Sequence, residues 1–267
     1  MLRCICIGII SFIALSSSAI AGNVQLRSHQ AVYAMKQTHK PGDSWSPIER
    51  ADGVLRYVFK NTCDGWTVEH HTAMHMNFES GQQAQMTWSY TSWEARDGTR
   101  LRFRTRSKRN GVVVESFSGE ARKEADQSIV VYSEPNGRRE TMPVGTVFPT
   151  THLIQSIKAA QNGETVFNAS YFDGGGQDVD LEVSTVSTLF KGKRLTEVKG
   201  VKLPVMKTWD MMLAFFQPKS QNSQPEMEIG ARYRLDGIST RLLQDFGDFT
   251  LEGQLVGLEY YDEPKCQ

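Results

Sequence analysis

The chain has 267 residues, with 30 Lys+Arg against 30 Asp+Glu, a formal net charge of zero, 39% hydrophobic residues and four cysteines. Such a charge balance removes any global pull toward nucleic acid or an anionic membrane surface. Past the N-terminus no stretch is apolar for the 18 or so residues that a membrane-spanning helix requires.

Met-Leu-Arg3 opens the sequence, followed by an apolar run from Cys4 to Leu15 and then Ser16-Ser17-Ser18-Ala19-Ile20-Ala21. A positive start, a short apolar run and the small-residue pair Ala19 and Ala21 are the parts of a secretory leader, with cleavage expected after Ala21. A retained anchor is the alternative, but the run is shorter than the roughly 20 residues that cross a bilayer. Cys4 and Cys6 open the apolar run instead of following the cleavage point, so they leave with the leader. The product, residues 22–267, has 246 residues and, with Arg3 gone, 29 bases against 30 acids, a net charge of −1. That length suits one all-β domain with a full core.

Two cysteines remain after processing, Cys63 and Cys266, 203 positions apart in a chain addressed to an oxidising compartment. A lone pair there reads as a disulfide, which by loop entropy stabilises the fold by up to about 5 kcal/mol; two unpaired structural thiols are the alternative. No Cys-x-x-Cys spacing points to redox catalysis.

From residue 29 onward, period-2 alternation dominates. In Val54-Leu55-Arg56-Tyr57-Val58-Phe59, for instance, Leu55, Tyr57 and Phe59 share one face. Strands are expected at 29–35, around 54–59, and at 67–76, 86–95, 101–107, 112–118, 128–132, 165–172, 181–187, 194–199, 206–215, 227–235, 238–246 and 248–259. Turn signals separate many of them: Asp52-Gly53, Asp64-Gly65, Asp97-Gly98, Asn110-Gly111, Asn136-Gly137 and Asp236-Gly237. The polar, Pro-bracketed stretch 217–225 reads as an exposed hairpin loop. Together these describe a long, mainly antiparallel all-β meander.

One segment breaks the period. Over 151–162, Leu153, Ile154, Ile157 and Ala160 fall on one helical face, with Thr150 as the expected N-cap after Pro149 and Gly163 as the stop. This single helix must bury its stripe against the sheet.

Chemistry-bearing residues are sparse. His70, His71 and His75 beside Glu69 form the best metal candidate, yet on a strand His71 and His75 stand roughly 13 Å apart and His70 points away, so no zinc site is expected. The run from Asp173 through Gly174-Gly175-Gly176 to Asp178 lacks oxygen ligands at a calcium loop's alternate positions and reads as a glycine-rich turn. No Gly-x-Ser-x-Gly elbow occurs, nothing sets a nucleophile beside His29, His39 or His152, and no cofactor is indicated. Arg100, Arg102, Arg104, Arg106 and Lys108 alternate with Leu101, Phe103 and Thr105. One strand face thus carries a ladder of cations, either a solvated outer face or a surface for anionic head groups, glycan carboxylates or an acidic partner. In both cases Leu101 and Phe103 face inward.

Four pieces in order, Cys63-Asp64-Gly65-Trp66-Thr67-Val68-Glu69, Phe148-Pro149-Thr150-Thr151-His152, Tyr171-Phe172-Asp173-Gly174 and Asp245-Phe246-Gly247-Asp248-Phe249, with Gly253 and Cys266 beyond them, resemble the envelope-integrity protein B family of periplasmic proteins. The resemblance implies a spiral, half-open sheet of roughly fourteen strands, a short helix in its concave face and a Cys63–Cys266 disulfide. It further implies a periplasmic, non-enzymatic role in cell-envelope integrity, with periplasmic tetratricopeptide-repeat proteins as partners. The same architecture resembles lipoprotein carriers, so a carrier of lipid or acylated ligands is the second expectation. The two separate on whether the helix and Trp209, Met211, Leu213 and Phe215 leave a cavity of a few hundred Å³.

Overall fold

The structure is a computed structural model and describes residues 24–38, 48–124, 127–176, 178–217, 224–247 and 249–266. The expected leader, His39 and the centre of the 217–225 loop lie outside the described residues.

The first half of the chain is a meander of β1 (His29–Thr38), β2 (Ile48–Asn61), β3 (Gly65–Phe78), β4 (Gln83–Ala95), β5 (Arg100–Arg109), β6 (Val112–Lys123), β7 (Ser128–Glu134) and β8 (Arg139–Met142). After α1 (Pro149–Gln161) come β9 (Val166–Tyr171), β10 (Leu181–Leu189), the short hairpin of β11 (Glu197–Val198) and β12 (Val201–Lys202), then β13 (Thr208–Phe216), β14 (Met227–Arg234), β15 (Ser239–Asp245) and β16 (Thr250–Tyr260). Fourteen strands form one antiparallel sheet in the order β8-β7-β6-β5-β4-β3-β2-β1-β16-β15-β14-β13-β10-β9. The first and last strands therefore meet at its centre, with Ala31 opposite Leu258 and Met35 opposite Gly253. The middle of the chain supplies both edges, β8 and β9, which do not pair, so the sheet curls without closing.

α1 is the connection between those two edges, and it lies in the concavity. Ile157 is fully buried and Ala160 nearly so, while Leu153 and Ile154 are half-buried against the same cluster, which includes Phe59, Val68, Leu101, Phe103 and Val130 from one wing and Trp209 and Met211 from the other. The opposite side of α1 is also buried: His152 sits against Phe167 and Tyr171, at ring distances of 5.6 and 5.4 Å. Just before the helix, Val147 N–H donates to Ser170 O and Val147 O accepts from Phe172 N–H, which covers part of the open edge of β9.

The inner face reads through the ladder as the alternation requires. Leu55 and Phe59 on β2, Trp66 and Val68 on β3, and Leu101 and Phe103 on β5 are all less than a tenth exposed. Met35, Leu55, Met74, Leu251 and Leu255 form a second cluster, closed by Val198 and Leu203 from the β11–β12 segment.

Three local expectations fail for identifiable reasons. Asp52-Gly53 is not a turn but the middle of the 14-residue strand β2, where Gly53 pairs with Met35 on one side and Met74 on the other. A Cβ on Gly53 would stand 2.1 Å from Ala73 O and 2.6 Å from Met74 Sδ, so the glycine serves close packing. Residues 194–199 do not add a strand to the sheet. Lys199 and Gly200, at φ 46° and 84°, turn the chain back within two residues and leave only the β11–β12 pair. The helix starts two residues earlier than expected: its N-cap is Phe148, with Pro149 and Thr150 already inside the first turn. The short edge strand β8, at the end of the hairpin turned by Asn136-Gly137, has no counterpart among the expected strands.

Candidate interaction site

Phe148 has no side chain able to cap a helix, and none does so. The cap comes from across the concavity. Glu94, inward on β4 and 1% exposed, accepts the N–H of Thr150 at 2.7 Å and that of Thr151 at 2.9 Å, and the Thr151 hydroxyl as well. Burial raises the Glu94 pKa, and these bonds only partly offset it.

The tail after β16 is fixed by another carboxylate, this one at the surface. Glu263 accepts from Ser28 N–H and Ser28 Oγ–H at 2.8 Å each, and from Asn61 Nδ2 at 2.8 Å. Tyr261 N–H donates to Ser28 O. Beyond it Cys266 is bonded to Cys63, which follows β2, with Cα atoms 5.4 Å apart. The disulfide thus reaches across β1 and ties the tail to the β2–β3 turn.

On the outer face of β5 stand Arg100, Arg102, Arg104, Arg106 and Lys108. Three arginines share one carboxylate: Arg100 at 3.5 Å, Arg102 at 3.1 Å and Arg122 at 2.5 Å all face Glu120. Partial burial pushes Glu120 up, but its bonds to Arg122 and Arg102 hold the carboxyl below the ordinary value. Arg102 also lies over the Trp93 ring. Arg106 reaches only Glu134, at 3.9 Å, and Arg104 and Lys108 have no acidic partner among the described residues. The lower half of this face is therefore over-provided with cations.

The histidines separate as a strand dictates. His70 turns inward, its ring 4.6 Å from Trp88 and 6.3 Å from Tyr57, and burial takes its pKa down to about 3. His71 and His75 alternate with it and fall on the other face. His152 contacts Thr185 Oγ1 at 3.3 Å, and burial takes it to about 4. The glycine run after Asp173 lies against the inner face, where Tyr90 and Thr105 hydroxyls donate to Asp173 O and Gly174 O. Two hollows, of about 350 and 230 Å³, are lined from β10, β13–β16 and the segment before β13, with no residue of α1.

Glu94, Glu263 and Glu120 were not singled out in the sequence. Glu94 alone carries a signal there: it shares the inward parity of Trp88 and Tyr90 on β4. A carboxylate on an apolar face must have partners.

These features define a class: an open, curled antiparallel sheet whose concavity is closed by the helix that joins its edges, with a stapled tail. The chain belongs to the EipB-like family, whose family model matches residues 20–262. It is 28% identical over 256 residues to the cell envelope integrity protein EipB of Brucella abortus, covering 93% of this chain and 89% of that protein. A crystal structure of a β-barrel-like protein of a domain of unknown function, also from Brucella abortus, superposes with a TM-score of 0.78 at 26% identity, covering 90% of this chain and all of the other.

Proposed function

We propose that this chain is a non-enzymatic periplasmic protein that maintains the integrity of the cell envelope by binding other envelope components. The observation that carries the reading is the similarity, over 93% of the chain, to a protein named for cell envelope integrity. Residues 1–21 act as a cleaved leader, and residues 22–267 form one domain that the Cys63–Cys266 bond stabilises in an oxidising space. The non-enzymatic reading draws on two of the three buried histidines. His70 contacts Thr72 and His152 contacts Thr185, and no carboxylate bonds either ring among the described residues. Periplasmic proteins, tetratricopeptide-repeat proteins among them, are the proposed partners, with the β5 cations supplying attraction for an anionic one.

The carrier reading draws on the same curled sheet but has less support. Ile157, Phe172, Trp209 and Met211 occupy the concavity where acyl chains would lie, each no more than 3% exposed. Deleting the gene and challenging cells with detergent and with inhibitors of cell-wall synthesis tests the envelope reading. Heightened sensitivity, reversed by the intact gene, is expected; unchanged resistance across these stresses overturns it.

A further inference from the structure

β6 is longer than the strand beside it. It pairs with β5 from Val112 onward, but with β7 only from Ser118 to Lys123, because β7 ends at Glu134 before Pro135. Residues 112–117 therefore have a neighbour on one side only. Lys123 N–H donates to Thr99 O, so from Lys123 back to Glu115 the odd-numbered residues of β6 bond toward β5 and the even-numbered ones point toward β7; the register shift opposite Ser107 and Lys108 reverses this at Val113 and Val112. At Ser116 the strand they point to has already ended, and its N–H and C=O face outward.

An overhang of this kind is normally blunted by charge, proline or brevity. Here it carries Val112, Val113 and Val114 at 68%, 47% and 57% exposure. Three consecutive exposed valines on an open edge are a template for an added strand. The cations outnumber the acids around them: Val113 stands opposite Lys108 and Val112 opposite Arg109, with Arg106 further along β5, against Glu115 within the overhang and Glu134, which is 3.9 Å from Arg106. Arg106 Nε and Ser116 Oγ, on residues paired across the ladder, have no hydrogen-bond partner among the described residues.

We infer that the free edge of β6 over residues 112–117 is a docking site for an extended segment of a partner protein, added as a further β-strand, with apolar residues against the valines and acidic residues against Lys108 and Arg106. Backbone bonds supply attachment, and the alternating apolar and acidic side chains supply selectivity. This deepens the proposed function, on which it rests, by naming the chemistry of the partner.

The test uses the oxidised mature protein and two synthetic eight-residue peptides that alternate valine with glutamate or valine with lysine, at physiological salt. The glutamate peptide should bind at least 10-fold more tightly than the lysine peptide and slow amide exchange at residues 112–117. Ser116→Pro, which removes an outward N–H, should weaken binding by 10-fold or more, and Lys108→Glu should reverse the preference without relying on a backbone change. Equal binding of both peptides, protection elsewhere, or no effect of either substitution overturns the proposal. So does a dimer of this chain that Ser116→Pro dissolves, since the edge would then serve a second copy. These outcomes are read in vitro, independently of any envelope phenotype.

Discussion

Glu94 and Thr150 lie 56 positions apart in sequence, and the carboxylate of the first accepts the backbone N–H of the second at 2.7 Å. A 13-residue helix is marginal in water by itself, and this one lacks a local cap. Glu94 supplies the missing acceptor from β4, so the wall of the sheet fixes where the helix begins. Ile157 and Ala160 then lie against the cluster that both wings share.

Glu94→Ala should leave the Thr150 and Thr151 amides buried without an acceptor. Loss of the cap and the unsatisfied donors together should cost about 2 to 4 kcal/mol. Denaturant unfolding measures the loss, and hydrogen exchange should show faster exchange in the first turn of α1. Unchanged protection there would mean that packing alone holds the helix.

Acid should weaken the fold through its buried histidines. Burial lowers His29, His70 and His152, to about 3 for His70 and about 4 for His152, against an ordinary value near 6.5. A depressed folded pKa gives stability that is present above the unfolded value and is lost as pH falls from about 6.5 toward the folded one, by up to about 1.4 kcal/mol per pH unit for each group. Glu94 and Asp173, raised by burial, act in the opposite sense, their contribution being lost as pH rises. Melting temperature should fall between pH 7 and pH 5, and the double variant His70→Gln, His152→Gln should show a shallower fall. Equal slopes would refute the assignment.

Replacing Cys63 and Cys266 by Ser should lower stability by several kcal/mol, a large share of the roughly 5 to 15 that a domain possesses. Because Glu263 also holds the tail to Ser28 and Asn61, adding Glu263→Ala should cost more in the Cys-free background than in the disulfide-bonded protein. A double-mutant cycle measures this coupling; strict additivity would show that the two anchors act independently.

Gly53→Ala tests the reassigned middle of β2. With Ala73 O 2.1 Å from the new Cβ, overpacking should cost about 1 to 3 kcal/mol. Gly111→Ala has no such contact but a φ of 81°, and should cost only its backbone strain. A neutral Gly53→Ala would restore room for a turn-like backbone there.

Alternation made most strands legible, since the inward parity of Leu55, Phe59, Leu101 and Phe103 follows from a period of two. The helix showed itself through Leu153, Ile154, Ile157 and Ala160. Pairing between distant strands was not legible, because nothing local tells β1 that its second neighbour is β16, more than 200 residues on. Asp52-Gly53 misled because the same dipeptide serves a hairpin turn and a tight inter-strand contact. The helix start escaped because its cap, Glu94, lies in another element, and the tail anchor escaped because Ser28, Asn61 and Glu263 meet only in three dimensions.

The proposed support of the envelope is exerted from outside the cytoplasm and so requires export. It is tested most directly in a deletion strain carrying three forms at equal abundance: the full chain, residues 22–267 without a leader, and residues 22–267 behind an unrelated export signal. The first and third should restore detergent resistance, with mature protein from the first beginning at Gly22, and the second should not. Full rescue by the leaderless form, retained in the cytoplasm, would contradict the account.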